Sequence, residues 1–328
     1  MEKSMARRVA GIFPLIFVLC MLLFPVPCRA AGITVVDDAG RTVVLAAPAE
    51  RIVSFYAGHS ENILALGGAG RLVGIAEGDD ETLFPGVPRL PMRADAERIL
   101  ALAPDLVLVR PLAESVNEGV LRTLERSGVP VVSLSPPIPE TMEAYLERLS
   151  SLLGAEDGVN LWKETLALLK AQIPPVDAAR PLVFLETSAK GLRTCAPGSW
   201  AALLLSLAGG VNAAASAVPL RPESPLANWG EERLLALAAE GLDVYIVQTG
   251  AMNPVTEADV LARPWIKGVH GAEIVLLPEE DVSRPSLLRM KTSVEMLRAI
   301  FERGRRENHE LPGAKEPMLS GDEEEDER

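Results

Sequence analysis

Two stretches of the chain carry nearly the same message. Asp95 to Val109 reads DAERILALAPDLVLV, and Gly230 to Val247 reads GEERLLALAAEGLDVYIV. Glu97-Arg98-Ile99-Leu100-Ala101-Leu102 matches Glu232-Arg233-Leu234-Leu235-Ala236-Leu237, and Asp105 or Asp243 then opens an apolar run. Each copy describes a short helix headed by an acid, a break, and a buried strand. The copies lie too far apart for a solenoid, whose repeats run about 20–50 residues. They constrain the chain to two similar lobes, each with a helix–loop–strand unit.

The 328 residues exceed one typical domain, in keeping with two. A 48% hydrophobic content is ample for a core. A net charge of −13 argues against a nucleic-acid partner, which requires basic patches. Residues 1–30 read as a signal peptide: Lys3, Arg7 and Arg8 are followed by an apolar run, Ala10 to Val26, and a small-x-small site, Cys28-Arg29-Ala30. The apolar run is near the lower limit for a membrane span, so an uncleaved anchor stays open. Lipidation at Cys28 stays open too, although Pro27 stands where a small residue is preferred. With Cys20 and Cys28 in this segment, Cys195 is left alone and no internal disulfide is expected. The Cys195 thiol reads as a small buried hydrophobe.

Strand and helix patterns alternate through the rest. Ile33 to Leu45 reads as a hairpin about Asp38-Ala39-Gly40. Arg51 to Phe55 is a strand, followed by a loop, Tyr56 to Ser60, and a helix from Glu61 to Leu66. Strands at 71–76, 106–109 and 129–134 alternate with helices at 97–102 and 116–127. This rhythm indicates a parallel sheet with crossover helices. Helical periodicity returns over 140–153 and 157–172; the second helix would span roughly 25 Å, long enough for a strut between lobes. A second lobe then gives strands at 182–185, 244–248 and 274–277, with helices at 200–207 and 286–302. Thr187 to Ser199, Gly78 to Pro91 and Leu220 to Asn228 read as loops. From Gly304 onward there is no apolar periodicity, and an acidic run, Asp322 to Glu327, marks a disordered tail. The expected organisation is a signal peptide (1–30), an N-terminal α/β lobe (31–138), a helical linker (139–175), a C-terminal α/β lobe (176–303) and a tail (304–328). The fold class is α/β, with two doubly wound lobes of parallel-type sheet joined by one long helix and a cleft between them.

Enzyme motifs are sparse. There is no GxxxxGK[ST], no HExxH and no metal-spaced cysteine pair, and three histidines cannot supply a multi-histidine site with ease. Gly58-His59-Ser60-Glu61-Asn62 follows a strand and opens a helix, as a hydrolase nucleophile turn does, and His270 lies downstream in the right chain order. Asn62 replaces the second glycine of that turn, however. The alternative is that Ser60 caps the helix. A secreted serine hydrolase using Ser60 and His270 is the competing function.

The ordered set RIVSFYAGHSENILALGGAGRLVGIA, AERILALAPDLVLV, a linking helix, EERLLALAAEGLDVYIV and WIKGVHGAEIVLLPEEDVSRPS resembles the periplasmic substrate-binding proteins of ABC importers for ferric siderophores, haem and cobalamin. The likeness covers most of Ile33 to Arg303. It implies a non-enzymatic, monomeric periplasmic protein without a prosthetic group. Its ligand would be a ferric chelate or corrinoid, delivered to an ABC permease and its ATPase. It further implies that a glutamate on each lobe docks on the permease; the matching positions are Glu97 and Glu232, with Glu231 a competing choice. The bland reading is that these acids simply favour the helix dipole. Ligand contacts are expected from loops at strand carboxyl ends. In the first lobe these carry Tyr56, His59, Arg93 and Arg110. In the second they carry Thr194, Ser199, Trp200, Trp229, Met252, Asn253 and Arg284. Flat aromatics suit a large planar or lipophilic chelate, and the arginines suit carboxylates or an anionic iron complex. A ligand-sensing domain shares this cleft and differs only in its partner.

Overall fold

A computed structural model describes residues 32–310, except 156, 176–179, 252 and 270, and describes no side chains over 305–310. The signal segment and residues 311–328 lie outside the described residues, as do Met252 and His270.

The chain opens with an antiparallel hairpin, β1 (Ile33–Val36) and β2 (Thr42–Leu45). The first lobe follows: β3 (Ile52–Ser54), α1 (Ala57–Ala65), β4 (Leu72–Ala76), β5 (Arg89–Leu90), α2 (Ala96–Leu100), β6 (Leu106–Val109), α3 (Pro111–Arg126) and β7 (Val131–Ser133). Its five strands run β5-β4-β3-β6-β7, all parallel. The chain winds one way from β3 through β4 to β5, then crosses to β6 and β7. The switch point lies between β3 and β6, and their carboxyl ends form the natural crevice of such a sheet.

The linker holds α4 (Met142–Leu153) and α5 (Gly158–Lys170). The two helices expected here part at Gly154, whose φ of 57° ends α4. Asp157 restarts the chain by accepting the Asn160 N–H at 3.0 Å. The 13 residues of α5 span only about 20 Å.

The second lobe comprises β8 (Leu182–Ser188), β9 (Arg193–Cys195), α6 (Trp200–Leu207), β10 (Val211–Asn212), β11 (Val218–Pro219), β12 (Leu226–Asn228), α7 (Glu231–Glu240), β13 (Val244–Thr249), α8 (Glu257–Leu261), β14 (Glu273–Pro278), α9 (Glu279–Val282) and α10 (Leu287–Glu310). Its sheet runs β11-β12-β9-β8-β13-β14, with β10 beside β8. The centre, β8-β13-β14, is parallel, as expected; β9, β11 and β12 add an antiparallel edge. Short strands therefore occupy two stretches expected to be loops, 187–199 and 220–228. The last helix, expected over 286–302, continues to Glu310 and so into the stretch read as tail.

Side-chain alternation explains the layers. Ile52, Leu106 and Leu108 face one apolar cluster, and Val53, Val107 and Val109 face another. In the second lobe Val183, Leu185, Val244 and Ile246 face the first of these clusters, while Phe184, Tyr245 and Val247 face a third. Each sheet thus has an outer face covered by its own helices and an inner face in a core shared across the lobes. Fully apolar strands of this kind are expected where both faces of a parallel sheet are covered. Leu146, Leu149, Trp162 and Leu169 place both linker helices in the shared core. The lobes are joined by packing as well as by chain.

Candidate functional site

A cavity of about 190 Å³ lies between the lobes. The first lobe supplies Tyr56 after β3, Arg110 after β6, and Pro136, Pro137 and Ile138 after β7. The second supplies Ser199 and Trp200 at the start of α6, Glu223, Pro225 and Leu226 at the β11–β12 hairpin, Gln248 in β13, and Glu279, Ser283, Arg284 and Pro285 after β14. Five of the expected contacts meet here: Tyr56, Arg110, Ser199, Trp200 and Arg284.

Tyr56 is the residue before α1, with extended backbone (φ −150°, ψ 122°). A Cβ at Gly58 would fall 2.5 Å from Tyr56 Cε1, so the glycine leaves the space that the tyrosine ring occupies. The Arg110 guanidinium lies 4.9 Å from the Tyr56 ring centroid, a cation–π contact. Burial pushes the Tyr56 phenol up to about 12, against the pull of Arg284 and Arg110, so it stays neutral at physiological pH. Arg110 itself precedes Pro111, the first residue of α3, which holds its backbone extended. Its Nε is buried without a hydrogen-bond partner among the described residues.

Ser199 caps α6, accepting the Ala202 N–H at 3.2 Å, so its hydroxyl is engaged by the helix. Trp200 follows and stacks on Trp162 of α5 with ring centroids 5.9 Å apart. It both lines the cavity and packs its helix into the core. Arg284 donates to Glu61 of α1 at 2.8 Å. Gln248 accepts a short hydrogen bond from Ser283, which fixes that part of the wall.

The other expected contacts lie elsewhere. His59 is inside α1, not on a loop, and is fully buried. Its Nδ1 meets the Tyr145 hydroxyl at 2.9 Å and its Nε2 the Leu134 carbonyl at 3.0 Å. Both ring nitrogens are occupied, and burial lowers the imidazole to about 4, so it is neutral and structural. Arg93 is exposed and away from the cavity. Thr194 is buried in β9, where its hydroxyl donates to the Leu185 carbonyl at 2.7 Å. Trp229 packs near Phe184 in the outer core, under the Arg233 guanidinium at 4.3 Å. Asn253 is buried against the Gln248 carbonyl at 2.8 Å and Glu186 at 3.3 Å. Met252 lies outside the described residues.

The hydrolase alternative fails on geometry. Ser60 is fully buried within α1, and its hydroxyl donates to Ser54 at 2.9 Å. It neither caps the helix, which begins at Ala57, nor faces a space that a substrate can enter. His270 lies outside the described residues.

The repeated glutamates occupy the same helical position. Glu97 follows Ala96 in α2, and Glu232 follows Glu231 in α7, so each is the second helical residue. Glu232, not Glu231, is the counterpart of Glu97. Both are exposed, while Ile99 and Leu234, two residues on, are fully buried and anchor their helices. Neither glutamate has an ion pair among the described residues.

The residues missed by sequence reading are mostly the proline-rich run 136–138 and the polar groups Glu223, Gln248, Glu279 and Ser283. The strand-end rule would have found Pro136 and Gln248. Glu223 carried no signal, since it sits on a hairpin read as loop.

Among the described residues no cluster of three or more His, Cys, Asp and Glu is placed to hold a metal ion, and no helix is long and apolar enough to cross a membrane. No protein-family model matches the chain, and no curated protein does. Solved structures do. A possible iron-binding (periplasmic solute-binding) protein from Staphylococcus epidermidis is 19% identical, with a TM-score of 0.62 over 77% of this chain and 99% of that one. The periplasmic vitamin B12 binding protein BtuF of Vibrio cholerae is 22% identical, with a TM-score of 0.56 over 79% and 99%. The periplasmic haem binding protein HutB of Vibrio cholerae is 18% identical, with a TM-score of 0.59 over 76% and 98%. Spanning nearly the whole of each, the chain has the two-lobed α/β fold of these periplasmic binding proteins.

Proposed function

We propose that the protein is an extracytoplasmic solute-binding protein that captures a metal chelate, ferric or corrinoid, in its interlobe cleft and delivers it to an ABC permease and its ATPase. The carrying observation is the cavity itself. It is walled by both lobes, sits at the carboxyl ends of both sheets, and brings Tyr56, Arg110 and Trp200 together. The fold it shares with binding proteins for iron, vitamin B12 and haem supports the choice of ligand class. Nothing in this reading requires a reaction step or a resident cofactor. The basic and apolar start of the chain supports export, and with it a periplasmic location.

Glu97 and Glu232 are the proposed contacts with the permease. Their matched helical positions, exposure and lack of ion pairs support that role. Each is left free to meet a cation on a partner at modest desolvation cost.

Purification and titration test the ligand assignment. The protein as isolated is examined for visible absorbance, then titrated with ferric chelates, haem and cyanocobalamin. Trp200 lines the cavity and provides an intrinsic fluorescence reporter. Saturable quenching by one of these with a Kd of about 1 μM or below is expected for a transport protein. Absence of quenching by all of them contradicts the proposal.

A further inference from the structure

The charge arrangement of the cleft narrows the chelate further, on the reading that the cleft binds one. The sequence singles out three arginines as anion contacts, and the fold leaves one. Arg93 is exposed, away from the cavity. Arg284 lines the cavity, but its Nη1 is held at 2.8 Å by the fully buried Glu61 carboxylate, so its charge is balanced within the wall. Arg110 remains. It has no ion pair among the described residues, and its guanidinium rests on the neutral Tyr56 ring.

The second lobe presents the opposite sign. Glu279 lines the cavity, and its contact with Arg284 is long, 3.9 Å. Glu223 lines it too, with no ion pair among the described residues. Glu223 is held at φ 59°, a left-handed conformation that side-chain-bearing residues seldom adopt. Such backbone persists where the surroundings impose it and is concentrated at ligand clamps. The turn that follows it is closed by Ser224, whose hydroxyl donates to the Leu226 carbonyl at 3.0 Å and accepts the Leu226 N–H at 3.2 Å. One unbalanced cation on the first lobe therefore faces two carboxylates on the second. A polyanion seated on Arg110 would be pressed against both. In a cleft partly shielded from water such like-charge juxtaposition is a strong source of rejection.

We propose that the cleft selects chelates of low net charge. These offer one anionic or hydrogen-bond-accepting group to Arg110 and a protonated amine or hydroxyl face to Glu223 and Glu279. Polyanionic chelates are rejected.

The test uses the full exported protein and four probes: ferrioxamine B, a ferric trihydroxamate with a pendant ammonium; its neutral N-acetyl derivative; cyanocobalamin; and ferric enterobactin, a trianionic tris-catecholate. The readout is the affinity of the best cationic or neutral probe divided by that of the trianion. The ratio is expected to exceed one in the unaltered protein and to fall about tenfold in Glu223→Gln/Glu279→Gln, a change equivalent to one decade in Kd. The single variants are expected to give intermediate ratios and provide the readout if the double variant folds poorly. A ratio of one or less, or a ratio unchanged in the variants, overturns the charge selection while leaving chelate binding intact. Failure of all four probes to bind overturns the chelate reading, and the charge selection with it.

Discussion

Glu61 of the first lobe and Arg284 of the second are joined at 2.8 Å, with the glutamate side chain fully buried and the arginine 9% exposed. Arg289 reaches the same carboxylate oxygen at 2.9 Å and continues to Asp80 at 2.8 Å. The next residue along, Asn62, accepts the Leu287 N–H at 2.8 Å and donates to the Pro285 carbonyl at 3.1 Å. One lobe thus caps the first turn of a helix belonging to the other. Because Arg284 also walls the cavity, the proposed ligand site and the clasp between lobes share a side chain.

Removing one member of that clasp leaves buried charge behind. Glu61→Ala leaves Arg284 only its long contacts, 3.9 Å each, with Glu279 and Glu280, while Arg289 keeps Asp80. Breaking a buried pair in this way costs about 3–5 kcal/mol. A urea unfolding midpoint well below that of the unaltered protein is expected. An unchanged midpoint would show that the clasp carries no net stability.

Asp79 opposes stability at neutral pH. Both its oxygens are buried without a hydrogen-bond partner among the described residues, and burial pushes the carboxyl up to about 6. The unfolded chain releases this proton near 3.8. Between those values the folded state holds a proton that the unfolded state has lost, so stability falls as pH rises towards 6. Asp79→Asn should stabilise the protein at pH 8 by on the order of 1–3 kcal/mol and have little effect near pH 4. Equal shifts at both pH values would contradict this.

His59 acts with the reverse sign. Its folded value near 4 lies below the ordinary 6.5. Its contribution is complete above pH 6.5 and is lost as pH falls towards 4, when the unfolded chain takes up the proton first. The slope of stability against pH over that window should be shallower in His59→Gln. A parallel slope would place the acid sensitivity elsewhere.

Gly58 is small for the sake of Tyr56. Alanine there puts a methyl 2.5 Å from the present position of the tyrosine ring, which must swing away from Arg110. Chelate affinity should drop about tenfold, or 1.4 kcal/mol, without loss of thermal stability, since alanine favours the helix. Affinity equal to that of the unaltered protein would show that the Tyr56 position is immaterial to binding.

The inner strands are legible because Val, Ile and Leu runs bounded by turns have few alternatives. Leu106–Val109 falls within its expected limits for this reason. The start of α1 is not legible. Ala57, Gly58, His59 and Ser60 look like a polar loop, and only the fold supplies the partners that bury them. Those partners come from Leu134 and Tyr145, far along the chain. The same distance hides Glu61 and Asn62, whose partners lie beyond residue 280. Arg284 illustrates the limit at the site: its loop after a strand marks it as a wall residue, but no local pattern tells that it is already paired with Glu61. The matched glutamates are the opposite case, because a repeated helix start carries its register in the sequence.

The proposed cycle is capture in the cleft followed by hand-over at the two lobe surfaces. Its most direct test is uptake of a labelled chelate by cells that depend on this protein, carrying Glu97→Ala/Glu232→Ala. The purified double variant is expected to bind that chelate with unchanged Kd while uptake falls at least tenfold, the equivalent of about 1.4 kcal/mol of docking energy. Full uptake by the double variant would rule out Glu97 and Glu232 as the docking contacts.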